Sequence, residues 1–344
     1  MSNSEMTPVE WDDQADVVVI GSGLAGLSAA IEARTRGSTV IVLEKMNVSG
    51  GNSRISDGGL AAPGSFLQQR KGIQDSPELF YQDILKAGAY LNHQRLAKIV
   101  ANKAAEIIEW TRKDLGVQYQ DRLDRAGGHS VARTLTTRSH SGSEIIKALV
   151  RKLKQLNGEL RLGCLLTKLM TNDNGSVSGV RIQFNYKFPD IDSGEVQHIR
   201  ANRAVVLATG GFSRDINFRR LQTPLLDELV ASTNHRGATA EGLIAALKIH
   251  AAPIHLSWVQ TGPWSCADER GYGKGARFAS YSVYPHGIIV DPSSGTRILN
   301  EWADRRQRSD AIINCGHPCI GVVDAKGAQA DNESLINCLK TGKV

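Results

Sequence analysis

No apolar run in these 344 residues approaches the ~18 needed to cross a bilayer. Nor do the first fifteen residues, polar and acidic, contain a basic stretch followed by an apolar one, which is the pattern of a secretory signal. These absences predict a cytoplasmic protein without a membrane segment. Cysteine is sparse: Cys164, Cys266, Cys315, Cys319 and Cys338 are odd in number and irregularly spaced. Cys315 and Cys319 lack the paired C-x-x-C partners of a zinc site, so reduced thiols and no metal centre are expected. A C-x-x-C-H haem attachment is missing as well. The formal charge is +6, yet Lys and Arg are scattered, and Arg305, Arg306 and Arg308 form the densest basic cluster. That footprint is too short for nucleic acid and suits a site that handles anions. Repeats and low-complexity linkers are also lacking. A chain of this length holds two domains, or one large α/β domain with a lobe inserted.

What is present is concentrated in residues 16–44. Val17 to Ile20 form a short apolar run suited to a strand buried on both faces. Gly21, Gly23 and Gly26 follow in G-x-G-x-x-G spacing, then Leu24, Leu27, Ala30, Ile31 and Ala33 recur at helical intervals. Thr39 to Leu43 read as a second strand, closed by Glu44 about 20 residues beyond the glycines. In a dinucleotide site the first glycine permits the tight turn, the second lets the backbone approach a pyrophosphate, and the third packs helix on sheet. The pyrophosphate then rests on unpaired N–H groups at the helix N-terminus, and the terminal acid can accept hydrogen bonds from the ribose hydroxyls.

The remaining chain is read in outline. Residues 1–14 look like a disordered leader. Residues 45–63 are rich in Gly, Ser and Asn and read as an open loop at the carboxyl end of the second strand, the edge where α/β sheets bind ligands. From Pro77 to Leu115 the pattern is helical, with one apolar face of Leu79, Phe80, Ile84 and Leu85. A second face comprises Leu96, Ile99, Val100, Ala104, Ile107, Ile108 and Leu115. Residues 127–143 set His129, Arg133, Arg138 and His140 in a Gly- and Ser-rich frame, and a helix follows from Ile145 to Leu156. Strands are expected at 159–168, 179–188 and 203–212, the last opening into Ala208-Thr209-Gly210-Gly211. Residues 233–242, TNHRGATAEG, precede a helix over 243–249, and the aromatic stretch 256–274 marks the entry to another lobe.

The motifs GSGLAGLSAA, Glu44, SGGNS, SDGGL, ATGGF and TNHRGATAEG resemble the FAD-binding domain of the succinate dehydrogenase and fumarate reductase flavoprotein superfamily. The resemblance is nearest to its flavocytochrome-c-like branch of fumarate and urocanate reductases, and it runs from Asp16 to the C-terminus. It implies an α/β fold: a Rossmann-like FAD-binding domain over 15–256 with part of an α+β capping domain over 257–344. The implied ADP-half residues are Gly21, Gly23, Leu24, Ala25, Gly26, Glu44 and Lys45. Gly50, Gly51, Asn52, Ser53, Gly58 and Gly59 would line the flavin half, with Ala208, Thr209 and Gly210 alongside and Glu241 as a further contact. The superfamily's catalytic signature, an acid followed four residues later by arginine after a glycine hairpin, matches Glu301 and Arg305 behind Gly295-Thr296-Arg297. By resemblance Arg305 delivers a proton to the alkene carbon of an α,β-unsaturated carboxylate after hydride transfer from flavin N5. A separate electron donor is then required.

Three departures qualify the match. Gly262 stands where fumarate reductases carry a carboxylate-binding histidine before the proline, and Tyr281 and Tyr284 stand near the positions of a charged proton relay. Both features favour a monocarboxylic enoate over fumarate. The superfamily also continues past the point matching Val344, so the chain is expected to be a truncated member. Two other readings stay open: an FAD-dependent dehydrogenase of the 3-ketosteroid or amino-acid type, for which the tyrosines speak, or a non-catalytic flavin-binding fragment.

Overall fold

The computed structural model describes residues 10–228, 230–263, 279–330 and 336. Its centre is β1 (Asp13–Ile20), α1 (Leu24–Thr35) and β2 (Val40–Glu44), with β1 and β2 parallel and Val17 to Ile20 in register with Val40 to Leu43. Side chains alternate across the sheet, as strand geometry requires. Val19, Val40 and Val42 pack beneath Leu27, Ala30 and Ile31 of α1, while Val18, Ile20, Ile41 and Leu43 join the core on the opposite face. Both faces being covered explains why Val17 to Ile20 and Val40 to Leu43 are apolar at every position. Residues 13 and 14 of the expected leader belong to β1, and the preceding Asp12 exchanges hydrogen bonds with the His198 backbone at 2.9 and 2.7 Å.

The segment read as an open loop is partly regular, with α2 (Gly51–Ile55) and β3 (Gly59–Ala61). Next come α3 (Phe66–Lys71), α4 (Pro77–Ala87) and α5 (Gln94–Lys113). Ser76 caps α4, accepting from Leu79 N at 3.1 Å, with Pro77 in the first turn as the sequence implies. On α5 the buried stripe is Ala97, Ala101, Ile108 and Thr111, whereas Leu96, Ile99, Val100 and Ile107 are exposed. The helical period was legible; the stripe that meets the core is displaced from the one with the largest side chains.

The polar segment 127–143 contains β4 (Thr134–Thr136), antiparallel to β3, and leads into α6 (Ser143–Gln155). Ile145, Ile146, Leu149 and Leu153 of α6 pack with α1 on one face of the main sheet. Arg133 is fully buried, pairing with Asp75 (Nε–Oδ2 2.9 Å) and Asp83 beneath the Phe80 ring. It ties α4 to the loop before β4 and is not part of an open polar surface.

The expected strand 159–168 is two strands, β5 (Glu159–Leu162) and β6 (Cys164–Thr171). Gly163, at φ +65°, turns the chain from a parallel pairing with β2 to an antiparallel one with β7 (Val177–Phe184). The long β8 (Glu195–Leu207) completes the sheet in the order β5-β2-β1-β8-β7-β6. Its end at Leu207 is earlier than the expected 212, because residues 208–211 leave the sheet over the glycine turn. Then come α7 (Ile216–Gln222) and α8 (Glu241–Leu247), whose Ala245 and Ala246 cover the second face of the sheet.

A second region starts with a π-helical turn, Ala279–Val283, and α9 (Tyr284–His286). It continues through β9 (Gly287–Asp291), β10 (Thr296–Arg297), α10 (Arg305–Asn314), β11 (Ile320–Val323) and α11 (Ala325–Ala330). These strands form an antiparallel sheet, β10-β9-β11, separate from the main one. Trp264, Cys266, Tyr272, Cys338 and the Tyr281 side chain lie outside the described residues. No helix among the described residues is long and apolar enough to cross a membrane.

Candidate functional site

The glycine turn between β1 and α1 is closed on two sides by backbone. Gly21 has φ +102°, and a Cβ there would stand 2.4 Å from the Ala208 carbonyl oxygen. A Cβ on Gly26 would stand 1.9 Å from the Gly21 carbonyl oxygen. Neither neighbour can move without shifting β8 or α1, so both positions require glycine. Helix α1 starts at Gly23 with no side-chain cap and no acid in its first turn. Ser53 Oγ accepts from Leu24 N at 3.2 Å, and the positive end of the helix dipole is otherwise left to an anion. Ala25, in the same turn, is exposed.

Glu44 is buried at the tip of β2 and already engaged. Its Oε2 accepts from Ser22 N (3.0 Å) and Ser22 Oγ (2.6 Å), and its Oε1 accepts from Met46 N (3.0 Å). Ser22 Oγ in turn accepts from Gly50 N at 3.0 Å. The acid expected only to receive a ribose therefore also ties the first glycine turn to the start of α2. A carboxylate offers about four lone-pair sites, so Oε1 retains capacity for a ribose hydroxyl. Ser22 escaped the sequence reading; its signal was a hydroxyl inside the glycine motif with an acid at the next strand end.

In the flavin half, Gly50 and Gly51 have φ +109° and +47° and open α2. Asn52 bridges to the 233–242 segment: Nδ2 donates to Asn234 Oδ1 and Oδ1 accepts from His235 N, both at 2.6 Å. A Cβ on Gly58 would be 2.5 Å from Thr137 Oγ1, and Gly59 N donates to Asp57 Oδ1 at 3.1 Å. Ala208 N donates to Ile20 O at 2.8 Å, the Thr209 side chain fills the space beside Gly242, and Gly210 has φ +73° with nothing within 4 Å of a Cβ. Lys45 Nζ donates to Glu241 Oε2 (3.0 Å) and to Thr239 Oγ1. Burial pushes the Glu241 carboxyl up, but the Thr239 hydroxyl and Lys45 outweigh it and hold it below the usual carboxylate range. Thus Lys45 and Glu241 answer each other across the mouth of the sheet.

The residues present fit FAD. Glycines that a Cβ would fill, an uncapped helix N-terminus and an acid at the end of β2 converge at one sheet edge. Ala208 to Gly210 and the start of α2 adjoin them.

The two expected catalytic residues separate. Glu301 is buried, and both of its oxygens are taken: Oε1 accepts from Ile289 N (2.9 Å), and Oε2 from Arg297 Nε (3.1 Å) and Nη2. It ties the β9–β10 hairpin to the approach to α10. Burial pushes its carboxyl up, and Arg297 and Ile289 N bring it below the usual value. Arg305 is the first residue of α10, capped by Asp304, which accepts from Arg306 N (2.9 Å) and Gln307 N (3.1 Å). Arg305 is exposed. Reduced access to water lowers its pKa first, Arg308 lowers it further, and Asp57 opposes both. Asp57 belongs to the segment expected to line the flavin half. Nearby, a Cβ on Gly127 would be 3.1 Å from the Ala303 carbonyl oxygen. Tyr284 is buried beneath the Arg308 guanidinium. Asp57 stands in the SDGGL motif and Arg308 in the basic cluster, but neither was given a site role from sequence.

Such a glycine-rich edge with a strand-end acid defines a flavin-binding α/β domain. Residues 16–327 match the family described as FAD binding domain, and the chain belongs to that family. It is related to the flavoproteins of the succinate dehydrogenase and fumarate reductase group. The acrylate reductase flavoprotein subunit of Shewanella woodyi is 39% identical over 308 residues, covering 89% of this chain and 60% of that protein. Urocanate reductase of Eggerthella lenta is 34% identical over 300 residues, 86% of this chain and 47% of the relative. Among solved structures, an open conformation of a flavocytochrome c3 fumarate reductase superimposes with TM-score 0.79 at 30% identity, over 96% of this chain and 56% of that one. The chain therefore spans about half the length of these relatives.

Proposed function

We propose that this chain carries the flavin site and the proton donor of a reductase that saturates the C=C bond of an α,β-unsaturated monocarboxylate, with acrylate-like compounds favoured over fumarate. The observation that carries the reading is Arg305 at the first turn of α10 behind the Asp304 cap, the position that the family signature gives its proton donor. Bound FAD, reduced by a separate donor, supplies a hydride. Arg305 would hold the proton that the α-carbon takes up as the β-carbon receives that hydride. One C=C bond is lost and two C–H bonds form.

Guanidinium is an unusual acid, with a pKa above ~12. Its charge stabilises the anion while it forms, and the developing carbanion is basic enough to take its proton. Being exposed, Arg305 regains its proton from solvent. Glu301 and Asp304 hold the arginine in place without contacting substrate. Gly262, where a carboxylate-binding histidine would suit a second acid group, supports a monocarboxylate, and so does the 39% identity to an acrylate reductase subunit. The boundary between the FAD domain and the capping region falls near residue 257 in this reading, since the main sheet and α8 precede it and the β10-β9-β11 sheet follows.

Anaerobic mixing of the FAD-loaded, photoreduced chain with acrylate, urocanate and fumarate, followed by flavin absorbance, tests the proposal. Reoxidation fastest with acrylate is expected. Fumarate outpacing it sinks the monocarboxylate assignment, and no reoxidation by any of the three sinks the reductase.

A further inference from the structure

Strands β6 and β7 pair with one irregularity. Leu166 stands opposite Ile182 and Lys168 opposite Arg181, so Thr167 is an extra residue, a β-bulge in the edge strand of the main sheet. The Thr167 hydroxyl donates to the Arg181 carbonyl oxygen at 3.0 Å and accepts from Arg181 Nη1 at 3.4 Å. Among the described residues that is the guanidinium's one hydrogen bond. Lys168 and Arg181 are therefore cations placed directly opposite each other across the strands, an arrangement that costs a sheet stability.

Both side chains line a cavity of about 350 Å³ between these strands and the end of α8, a volume within the range of small-ligand pockets. Lys248, the residue after α8, supplies a third cation to the lining, and no acid is present there. None of the three cations takes part in an ion pair among the described residues. The floor is apolar: Leu169 and Ala245 belong to the core under the sheet, and Ile249 packs against it. Glu241, which holds Lys45 at the flavin mouth, is at the opposite end of α8. Seven residues of helical rise, about 10 Å, separate it from Lys248, so this cavity is distinct from the flavin site.

We propose that the cavity is a second ligand site, for an aliphatic di- or tricarboxylate whose charged groups meet Arg181, Lys168 and Lys248 while its carbon body lies on Leu169, Ala245 and Ile249. The Arg181 fork suits two oxygens of one carboxylate, and the lysines act as point charges on the others. A bound anion removes the repulsion across the bulge. The apolar floor gives a carbon body something to bury against, which an inorganic anion does not use, and the lining has no aromatic ring on which a base could stack. The inference is independent of the reductase reading.

Citrate, a saturated tricarboxylate, is titrated into the FAD-loaded chain by isothermal calorimetry at low salt, and one site per chain is expected. Arg181→Gln and Lys248→Gln are each expected to weaken binding about 10- to 100-fold, the worth of a charge-assisted hydrogen bond. Lys103→Gln, which removes an equal charge from the exposed surface of α5, is expected to leave it unchanged, as is Arg305→Ala. Lys168→Gln separates ligand from fold: it is expected to raise the melting temperature of the citrate-free protein by relieving the opposed charges, yet to weaken citrate binding. No citrate binding by the parent chain, unaltered affinity in Arg181→Gln, or an equal loss in Lys103→Gln overturns the site. A loss confined to Arg305→Ala moves citrate to the second region and overturns it too. Inorganic phosphate binding as tightly as citrate overturns the polycarboxylate assignment.

Discussion

The Ser22 hydroxyl donates to Glu44 Oε2 at 2.6 Å while accepting from Gly50 N at 3.0 Å, so one side chain joins the glycine turn, the acid at the end of β2 and the start of α2. The glycine turn, the strand-end acid and the start of α2 are thereby tied together by hydrogen bonds. Ser22→Ala leaves a buried carboxylate oxygen and a buried amide each short of a partner, at a cost of about 1–3 kcal/mol. A lower melting temperature and weaker FAD binding by absorbance titration are expected together. Weakened stability with unchanged FAD affinity contradicts the link between the two.

Glycine positions in the site divide by what surrounds them. Gly26→Ala drives a Cβ to 1.9 Å from the Gly21 carbonyl oxygen and is expected to abolish FAD binding, or folding itself. Gly51→Ala meets nothing within 4 Å, and the cost is the left-handed backbone at φ +47°, about 1–2 kcal/mol. Far-ultraviolet circular dichroism and FAD titration of the pair check the contrast.

Arg133 is fully buried between Asp75 and Asp83. Removing it as Arg133→Met leaves two buried carboxylates uncompensated, a loss of about 3–5 kcal/mol, measurable by urea denaturation. Asp75→Asn combined with Asp83→Asn in that background is expected to recover part of it.

The same cluster predicts an acid limit. Burial pushes the Asp75 and Asp83 carboxyls up, but Arg133 with Gln68 or Ser130 outweighs it and holds both below the unfolded value of 3.8. Their contribution is present above that value and is lost as pH falls through the lower folded values. Melting temperature is therefore expected to drop below about pH 4 and to drop less in Arg133→Met. Parallel acid profiles for the two proteins count against this account.

Glu301 and Arg305 are expected to separate in kinetics. Arg305→Ala removes the proton donor and should slow flavin reoxidation by acrylate about 10²–10⁴-fold without altering FAD absorbance. Glu301→Gln keeps an acceptor for Ile289 N but loses the charge facing Arg297, so it should destabilise the β9–β10 hairpin by about 1–3 kcal/mol and slow the reaction far less. Equal rate losses would return Glu301 to the reacting centre.

The βαβ unit, its glycines and Glu44 were legible because strand, turn, helix and strand follow one another within 32 residues, β1 to β2. Each is specified by local backbone demands: apolar alternation, a left-handed turn, a Cβ-free crossing. Arg305 was reached through its spacing from Glu301; it opens α10, and Glu301 precedes that helix.

Partnership was not legible. Arg133 reads as one of several polar loop residues until α4 brings Asp75 and Asp83 to it from 58 and 50 positions away. Glu301, four residues from both Arg297 and Arg305, pairs with the first because Ile289 N on β9 draws its carboxylate to that side. Helix α5 shows the same limit in apolar form. Its period is written in the chain, but Ala97 and Ala101 face inward while Leu96 and Val100 do not, because close packing admits only small side chains there. The sequence alone determined the cofactor motif and the elements that carry it, since those depend on neighbours along the chain. Which charges pair, which stripe is buried and where Arg308 lies depended on contacts between distant segments, and only the tertiary structure decides those.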